Sequence, residues 1–392
     1  MKNRIKSLAS EYAPDLISCR RHLHSHPELS FQEYETAKFI QQKLDEYGIA
    51  YRAGVAGTGI VALIEGKNPS SKVIALRGDI DALPIEEANN VPYKSQHHGV
   101  MHACGHDVHT TVALGAARIL QQVRDEFEGT VKILFQPGEE KHPGGASLMI
   151  QDGALENPKP QAILGLHVLP ALETGLLGFH AGKYMASADE IYITVKSKGG
   201  HAAAPHLTAD TILIASNLVV SLQQIISRNN DPFSPSVLSI CAFNGGFTTN
   251  VIPSEVKLMG TFRAMDETWR FKAHELIRKQ ATELVHAMGA EIDIDILVGY
   301  PTLYNNETVT ATARKLAEEY MGAENVGDTE MRMGAEDFAF YSQVIPACFF
   351  RLGTGNKAKG ITAGVHTPLF DVDERSLEIG AGTMAWLATQ FK

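Results

Sequence analysis

The stretch KVIALRGDID, residues 72–81, predicts a buried β-strand that ends at two aspartates, Asp79 and Asp81. Its uninterrupted apolar run is typical of a strand covered on both faces. The segments GTVKILFQPGEE (129–140) and AILGLHV (162–168) have the same character, whereas DVHTTVALGAARILQQV (107–123) carries apolar residues at helical spacing. Strands that alternate with helices predict an α/β domain with a mixed sheet of substantial parallel character and helices on both faces.

The pattern changes at about residue 186. DEIYITVKSKG (189–199) alternates apolar and polar residues, as a strand with one wet face does. A helix, two strands, a second helix and a last strand, AEIDIDILVGY (290–300), follow. The order βαββαβ is that of a ferredoxin-like α+β unit. We therefore predict a larger α/β domain in two parts, 1–185 and 297–392, with an inserted domain at 186–296.

A helix near the N-terminus of the chain has start and stop signals in its sequence. Ser30 and Glu33 match a capping box, and Gly48 is placed to end a helix over SFQEYETAKFIQQKLDEYG, residues 30–48.

The composition restricts the class of protein and its partners. The chain has 392 residues, enough for about two domains, with 44% hydrophobic and 20% charged residues. The net charge of −10 disfavours nucleic acid as a partner. No apolar run is long enough to cross a membrane, and the N-terminus lacks the apolar core of a signal peptide. Four scattered cysteines indicate a reduced, cytoplasmic protein rather than a disulfide framework.

Metal-ligating residue types cluster where the predicted strands end. Glu139 and Glu140 follow one strand, His167 ends another, and Cys104 and His106 directly precede a helix. His366 follows the strand ACFFRLG (347–353) across a glycine-rich loop. Ligands bind at the carboxyl ends of strands in open α/β sheets. Thiolate, imidazole and carboxylate are the ligands of zinc and similar divalent ions, and this set suits two ions better than one.

Other interpretations of the same residues stay open. Cys104 could act as a nucleophile with His106 as its base, although the carboxylates would then have no task. A structural zinc site is typically a closed cage of four cysteines and histidines, which a carboxylate-rich set with one cysteine fits poorly. A non-catalytic metal-binding protein is a further alternative.

Ten motifs in one order make the chain resemble the M20 family of metallopeptidases, in the amidohydrolase branch that includes aminoacylases, hippurate hydrolases and auxin-conjugate hydrolases. They are RRHLHSHPELSFQE, LRGDIDALP, MHACGHDVH, FQPGEE, GLHV, KGGHAAAPH, TNVIP, GTFRA, GAEDFAFY and HTPLFDVDE. The resemblance covers nearly the whole chain. It implies a catalytic α/β domain with an inserted lid or dimerisation domain, and a homodimer.

The resemblance also implies roles for individual residues. It assigns the ligands of two divalent ions, zinc or manganese, to Cys104, His106, Glu140, His167 and His366. Glu139 matches the general base, Asp81 a supporting aspartate, and His201 a residue that reaches the partner subunit's active site to stabilise the oxyanion. Asn250 and Arg263 match positions that hold the substrate carboxylate. Other branches place a histidine ligand in an H-x-D motif, where this chain has Asp79-Ile80-Asp81.

These assignments predict a metal-dependent amidohydrolase that cleaves the amide bond of N-acyl-L-amino acids. A metal-activated water would attack the amide carbonyl, and Glu139 would take its proton and pass it to the leaving amine. A dipeptidase or carboxypeptidase on the same scaffold is the nearest alternative. The sequence assigns no role to Glu336 and Asp337, and it does not identify the acyl group.

Overall fold

The structure is a computed structural model that describes residues 1–391. These residues form two compact units. The first unit comprises Met1–Gly182, Tyr304–Glu330 and the residues from Asp337 onward, and the second comprises Lys183–Leu303 and Met331–Glu336. The predicted limits of an inserted domain at 186 and 296 stay a prediction, and the return of 331–336 to the second unit has no counterpart in it.

Two helices and two strands precede the part of the first unit in which strands and helices alternate, residues 73–173. Its N-terminal part contains α1 (Lys2–Ser25), α2 (Tyr34–Tyr47), β1 (Ala50–Val55), β2 (Gly59–Glu65), β3 (Val73–Asp79), α3 (His106–Gln122), β4 (Thr130–Gln136), α4 (Gly145–Gln151), β5 (Ala162–Glu173) and β6 (Leu177–Phe179). The next part of the chain contains β7 (Gly182–Met185), β8 (Asp189–Lys196), β9 (Gly200–His201), α5 (Thr211–Gln224), β10 (Ser236–Asn244), β11 (Val251–Ile252), β12 (Glu255–Ala264), α6 (Glu267–Ala287) and β13 (Glu291–Val298). The C-terminal part contains β14 (Leu303–Asn305), α7 (Glu307–Met321), β15 (Val326–Asp328), α8 (Ala339–Ser342), β16 (Ala347–Gly355) and α9 (Arg375–Gln390).

An eight-stranded mixed sheet organises the first unit, in the order β1-β2-β4-β3-β5-β16-β6-β15. Its four central strands, β4, β3, β5 and β16, are parallel to one another. Helices α1, α3 and α9 pack together on one face, and α4 and α8 contact strands of the same sheet. The main apolar core lies between the sheet and the long helices, where Ile74, Leu76 and Ile133 are buried against α3.

The second unit has the predicted element order. Strands β8, β10, β12 and β13 form an antiparallel sheet in the order β10-β12-β8-β13, with α5 after the first strand and α6 after the third. Along β8 the buried residues Ile191, Ile193 and Val195 alternate with exposed ones, and they share a core with α5 and α6. One face of the sheet is therefore covered by helices and the other is open.

The predicted capping box is wrong. Helix α2 begins at Tyr34, and the Ser30 hydroxyl donates to Asp81 Oδ2 over 2.6 Å instead of capping the helix. The Glu33 carboxylate accepts from the backbone N–H groups of Phe31 and Gly138. Both side chains thus fasten the loop before α2 to loops that follow β3 and β4. Gly48 ends the helix as predicted, with a φ of 67°.

Strand β5 is longer than the sequence pattern predicts. His167 lies in the middle of it, because the pairing with β16 continues through Val168 and Leu169 and, after a register shift, reaches Glu173. The ladder between β3 and β5 stops at Arg77 and Gly165, so His167 stands two residues beyond it. The imidazole is therefore still at the carboxyl end of the neighbouring strand.

No helix within residues 1–391 has both the length and the apolar character required to cross a membrane.

Candidate metal centre

Five side chains predicted as metal ligands meet at the carboxyl ends of the parallel strands in the first unit. The Cys104 Sγ lies 3.4 Å from His167 Nε2 and 3.3 Å from His366 Nε2. The Glu140 Oε1 lies 3.2 Å from His366 Nε2 and 3.9 Å from His106 Nε2. Candidate ligand atoms fall into overlapping groups of three, within which all atoms lie within 4.8 Å: Cys104/His106/His167, Cys104/Glu140/His366 and His106/Glu139/Glu140.

Glycine sets the geometry of the Cys-Gly-His turn. Gly105 precedes α3 with a φ of 86°, a conformation that other residues adopt only with strain. A Cβ at this position would lie 2.6 Å from a methyl group of Val168. The turn therefore packs directly on β5, which brings Cys104 and His106 to the same strand that carries His167.

His366 has an unusual backbone for its residue type. Its φ is 61°, in the left-handed region, and its backbone N–H donates to the carbonyl of Ala103 over 2.7 Å. Strained positions of this kind cluster at functional sites, where the surrounding structure enforces them. The contact to Ala103 ties the C-terminal loop to the residue that precedes Cys104.

A buried imidazole nitrogen that makes no hydrogen bond within residues 1–391 makes the cluster fit a metal. His106 is fully buried, and its Nδ1 lies 3.1 Å from Asp81 Oδ1. Its Nε2 makes no hydrogen bond within residues 1–391, and carboxylate oxygens of Asp79 and Glu140 face it at 3.5 and 3.9 Å. Buried polar atoms are rarely left unsatisfied, and a ligating histidine commonly donates its other nitrogen to a carboxylate. Thiolate, imidazole and carboxylate together form the donor set of a divalent transition metal.

Asp81 holds three parts of the site at once. Besides His106, it accepts a hydrogen bond from Ser30 and another from the backbone N–H of Glu140 over 3.0 Å. Burial alone would raise the pKa of Asp81, but the bonds to His106 and Ser30 outweigh it and lower the pKa. The carboxylate therefore stays ionised and fixes the ring of His106 relative to the Glu140 backbone.

His109 and Asp79 form a structural pair beside the centre. The His109 Nδ1 lies 2.6 Å from Asp79 Oδ1, and its Nε2 accepts from the backbone N–H of Val168 over 2.9 Å. Asp79 also accepts from Arg77 over 2.6 Å. Both nitrogens of His109 are engaged, so this third histidine of the motif positions β3 and β5 and is not available as a ligand.

Glu139 is buried next to Glu140, at the point where the chain leaves β4. The backbone N–H of Asp337 approaches its Oε1 to 3.4 Å. The Asp337 carboxylate in turn accepts from Arg77, from Gln136 and from the backbone N–H of Ala146. Asp337, to which the sequence assigned no role, thus braces the segment that carries Glu139.

The proton affinities in the cluster disfavour Cys104 as a free nucleophile. Burial raises the pKa of the Cys104 thiol, and the Glu140 carboxylate raises it further. Hydrogen bonds that His366 donates to Cys104 and Glu140 raise its pKa to about 10. A nucleophilic cysteine requires a lowered pKa, whereas a bound cation deprotonates a coordinating thiol outright. The environment of Cys104 therefore suits a ligand.

Three predicted site residues lie in the second unit. His201 is exposed on β9, which pairs with β11, and the Ala202 N–H donates to the Asn250 carbonyl over 3.0 Å. Arg263 is half-buried on β12, and its Nε donates to Thr261 Oγ1 over 3.2 Å. No carboxylate among residues 1–391 pairs with Arg263, so a surface salt bridge does not account for it. Burial lowers its pKa.

Comparison with known proteins identifies the family. The model of the peptidase family M20/M25/M40 matches residues 75–390. The chain belongs to this family.

Individual M20 relatives match over almost the full chain. The N-acetyl-L-cysteine deacetylase of Bacillus subtilis is 40% identical over 362 residues, which are 92% of this chain and 84% of the relative. The thermostable carboxypeptidase 2 of Saccharolobus solfataricus is 37% identical over 391 residues, 99% of this chain and 98% of the relative. A crystal structure of a dinuclear metal-binding M20 peptidase from Bacillus subtilis is 35% identical, with a TM-score of 0.84 over 97% of this chain and 98% of that one.

These comparisons confirm the predicted M20 family, the α/β fold with an inserted domain, and the enzyme class of metal-dependent hydrolase. The dinuclear relative and the grouped ligand atoms support two divalent ions.

The residues that sequence reasoning missed are those that hold the site in place: Ser30, Arg77, His109 and the role of Asp337. A buried arginine within an apolar strand, as in ALRGD, is the signal that could have revealed Arg77, because a buried charge requires a partner.

Proposed function

We propose that the protein hydrolyses the amide bond of N-acyl-L-amino acids with two divalent ions. The observation that carries the proposal is the buried Glu139 beside the cluster in which His106 Nε2 makes no hydrogen bond within residues 1–391. The donor set for the ions is Cys104, His106, Glu140, His167 and His366. Zinc is favoured by the thiolate, and manganese is compatible with the carboxylate.

Two ions held by these five side chains would supply Lewis acidity toward the amide carbonyl and the attacking water. Glu139 accepts the proton of that water and then donates it to the leaving amine. The proton therefore moves by two short transfers through one carboxylate. Asp81 keeps the ring of His106 in one orientation. His201 is assigned to the active site of the partner subunit, where it would donate to the oxyanion of the transition state.

The substrate carboxylate is assigned to Asn250 and Arg263. A guanidinium can donate two parallel hydrogen bonds to a carboxylate. Arg263 forms no salt bridge within residues 1–391, and burial outweighs the charges of Asp189 and Glu190 and lowers its pKa, so a bound carboxylate would stabilise its charge.

We further propose that the protein is a cytoplasmic homodimer. Helix α5 exposes Leu213 and Val220, with 59% and 70% of each residue accessible. Edge strand β10 exposes Val237 and Phe243. Apolar residues on a helix and an unpaired strand edge suit a self-complementary two-fold interface. The four cysteines are all unpaired, as expected in a reducing compartment.

Release of free amine from N-acetyl amino acids and from dipeptides tests the reaction. We expect the metal-loaded enzyme to cleave N-acyl amino acids with at least about tenfold higher kcat/KM than dipeptides, a difference of about 1.4 kcal/mol in transition-state binding. The alternative is a carboxypeptidase, the activity for which the Saccharolobus relative is named. Faster cleavage of dipeptides or longer peptides would favour that alternative.

Arg263→Ala tests the binding of the substrate carboxylate. We expect kcat/KM for free-carboxylate substrates to fall by at least about 10²-fold, because loss of a charge-assisted bidentate pair costs roughly 3 kcal/mol. The methyl esters of the same substrates should lose little. Arg278→Ala, which removes an exposed arginine of the same unit, is the matched control. An equal loss on acids and esters would mean that Arg263 is structural.

A further inference from the structure

A cavity of about 340 Å³ lies in the first unit, away from the metal centre. Its floor is formed by the outer strands β1 and β2, and its wall by the segment 153–157 that follows α4. The volume is at the lower end of the range of about 300–1,000 Å³ that is usual for small-molecule sites. Lys132, in β4, lines it.

The register of the sheet places apolar and basic side chains on the cavity face. Lys132 pairs with Leu63, which pairs with Ala50, and directly opposite residues point to the same face. Val61 and its partner Arg52 lie on that face as well. The residues of the opposite face, such as Ile133, belong to the main core.

Lys132 is a buried cation that forms no ion pair within residues 1–391, and the charge of the Glu156 carboxylate favours its charged form less than burial opposes it. Only 1% of it is exposed, and its ammonium donates to the carbonyls of Ala154 and Glu156 over 2.9 and 2.7 Å. An ammonium has three donors, and among residues 1–391 the third has no acceptor and no carboxylate forms an ion pair with it. Because Ala154 and Glu156 also line the cavity, the ammonium lies at its wall.

A second cation stands at the same cavity. Arg52 is exposed, and its guanidinium donates to the carbonyl of Asp152 over 3.1 Å. Burial, followed by this guanidinium, lowers the pKa of Lys132 to about 8. An anion bound between the two cations would oppose the lowering of the Lys132 pKa by burial and by Arg52, since a nearby opposite charge favours the charged form of an amine.

We propose that this cavity binds a small carboxylate with an apolar tail. The head group pairs with Lys132 and Arg52, and the tail lies against Ala50, Val61 and Leu63. Lys132 precedes the end of β4 by four residues, about 13 Å of extended strand at ~3.3 Å per residue, so the site is separate from the metal centre. The inference does not rest on the proposed function.

Calorimetric titration of the metal-loaded enzyme with octanoate tests the proposal, with neutral octanamide as the ligand control. We expect Lys132→Met to weaken the binding of octanoate at least about tenfold, because it removes a charge-assisted hydrogen bond of roughly 1.5–3 kcal/mol. The wild type should bind octanamide about as weakly as Lys132→Met binds octanoate. Lys159→Met, which removes an exposed lysine just beyond the wall segment, is the matched control and should bind normally.

Two further variants keep the test decisive if Lys132→Met does not fold. Arg52→Gln alters an exposed side chain and should weaken octanoate binding, and Leu63→Trp should abolish it by filling the cavity while leaving Lys132 in place. Octanoate that binds at the metal centre would appear as a second binding event in the titration, and all of these variants would still show it. If no equivalent of octanoate depends on Lys132, Arg52 and Leu63, the proposal is wrong.

Discussion

Cys104→Ala is expected to release bound metal and to abolish amide hydrolysis. The Cys104 Sγ belongs to two of the ligand groups and lies 3.4 Å from His167 Nε2 and 3.3 Å from His366 Nε2. Removal of the thiolate takes a strong ligand from the centre. Protons then compete more effectively with the metal for the two imidazoles. We expect metal content, measured by elemental analysis, to fall by at least one ion per subunit and turnover by at least about 10³-fold.

The control for this variant is Cys348→Ala. Cys348 is a buried, unpaired cysteine in β16 of the same unit, so its replacement removes a thiol from the core without touching the centre. It should keep both metal and activity. Full metal content in an inactive Cys104→Ala protein would instead support the alternative in which Cys104 is a nucleophile.

Glu139→Gln is expected to separate catalysis from metal binding. The amide keeps the shape of the side chain but cannot take a proton, so kcat should fall by about 10²–10⁴-fold, the usual contribution of a general base. KM and metal content should change little. The contrast is Glu140→Gln, one residue further along, which should lose metal together with activity. Loss of metal in Glu139→Gln would show that Glu139 is a ligand and that the proton acceptor is another group.

Local sequence patterns predicted the elements that place the site. The apolar runs of β3 and β4 and the helical spacing of α3 are properties of short segments, and they put the candidate ligands at one edge of the sheet. His167 was placed at a strand end because its apolar run stops there. The continuation of β5 depends on pairing with β16, which lies far along the chain.

The supporting contacts could not be predicted from local patterns, because their partners are distant in sequence. Arg77 and Asp337 are 260 positions apart, and the bond between them fixes the loop that carries Glu139. Ser30 has the sequence context of a helix cap, yet its hydroxyl binds Asp81, 51 residues away. In both cases a buried charge selects the partner, since an unpaired carboxylate in the interior is more costly than a lost helix cap.

The central claim is that two divalent ions and the surrounding residues form one hydrolytic centre. Its most direct test is to remove the metal with a chelator and to measure the release of amine from an N-acetyl amino acid as zinc or manganese is added back in known equivalents. We expect the stripped enzyme to be inactive, and activity to rise and level off at about two ions per subunit. Hydrolysis that persists in the stripped enzyme, or that levels off at one ion, would contradict the account.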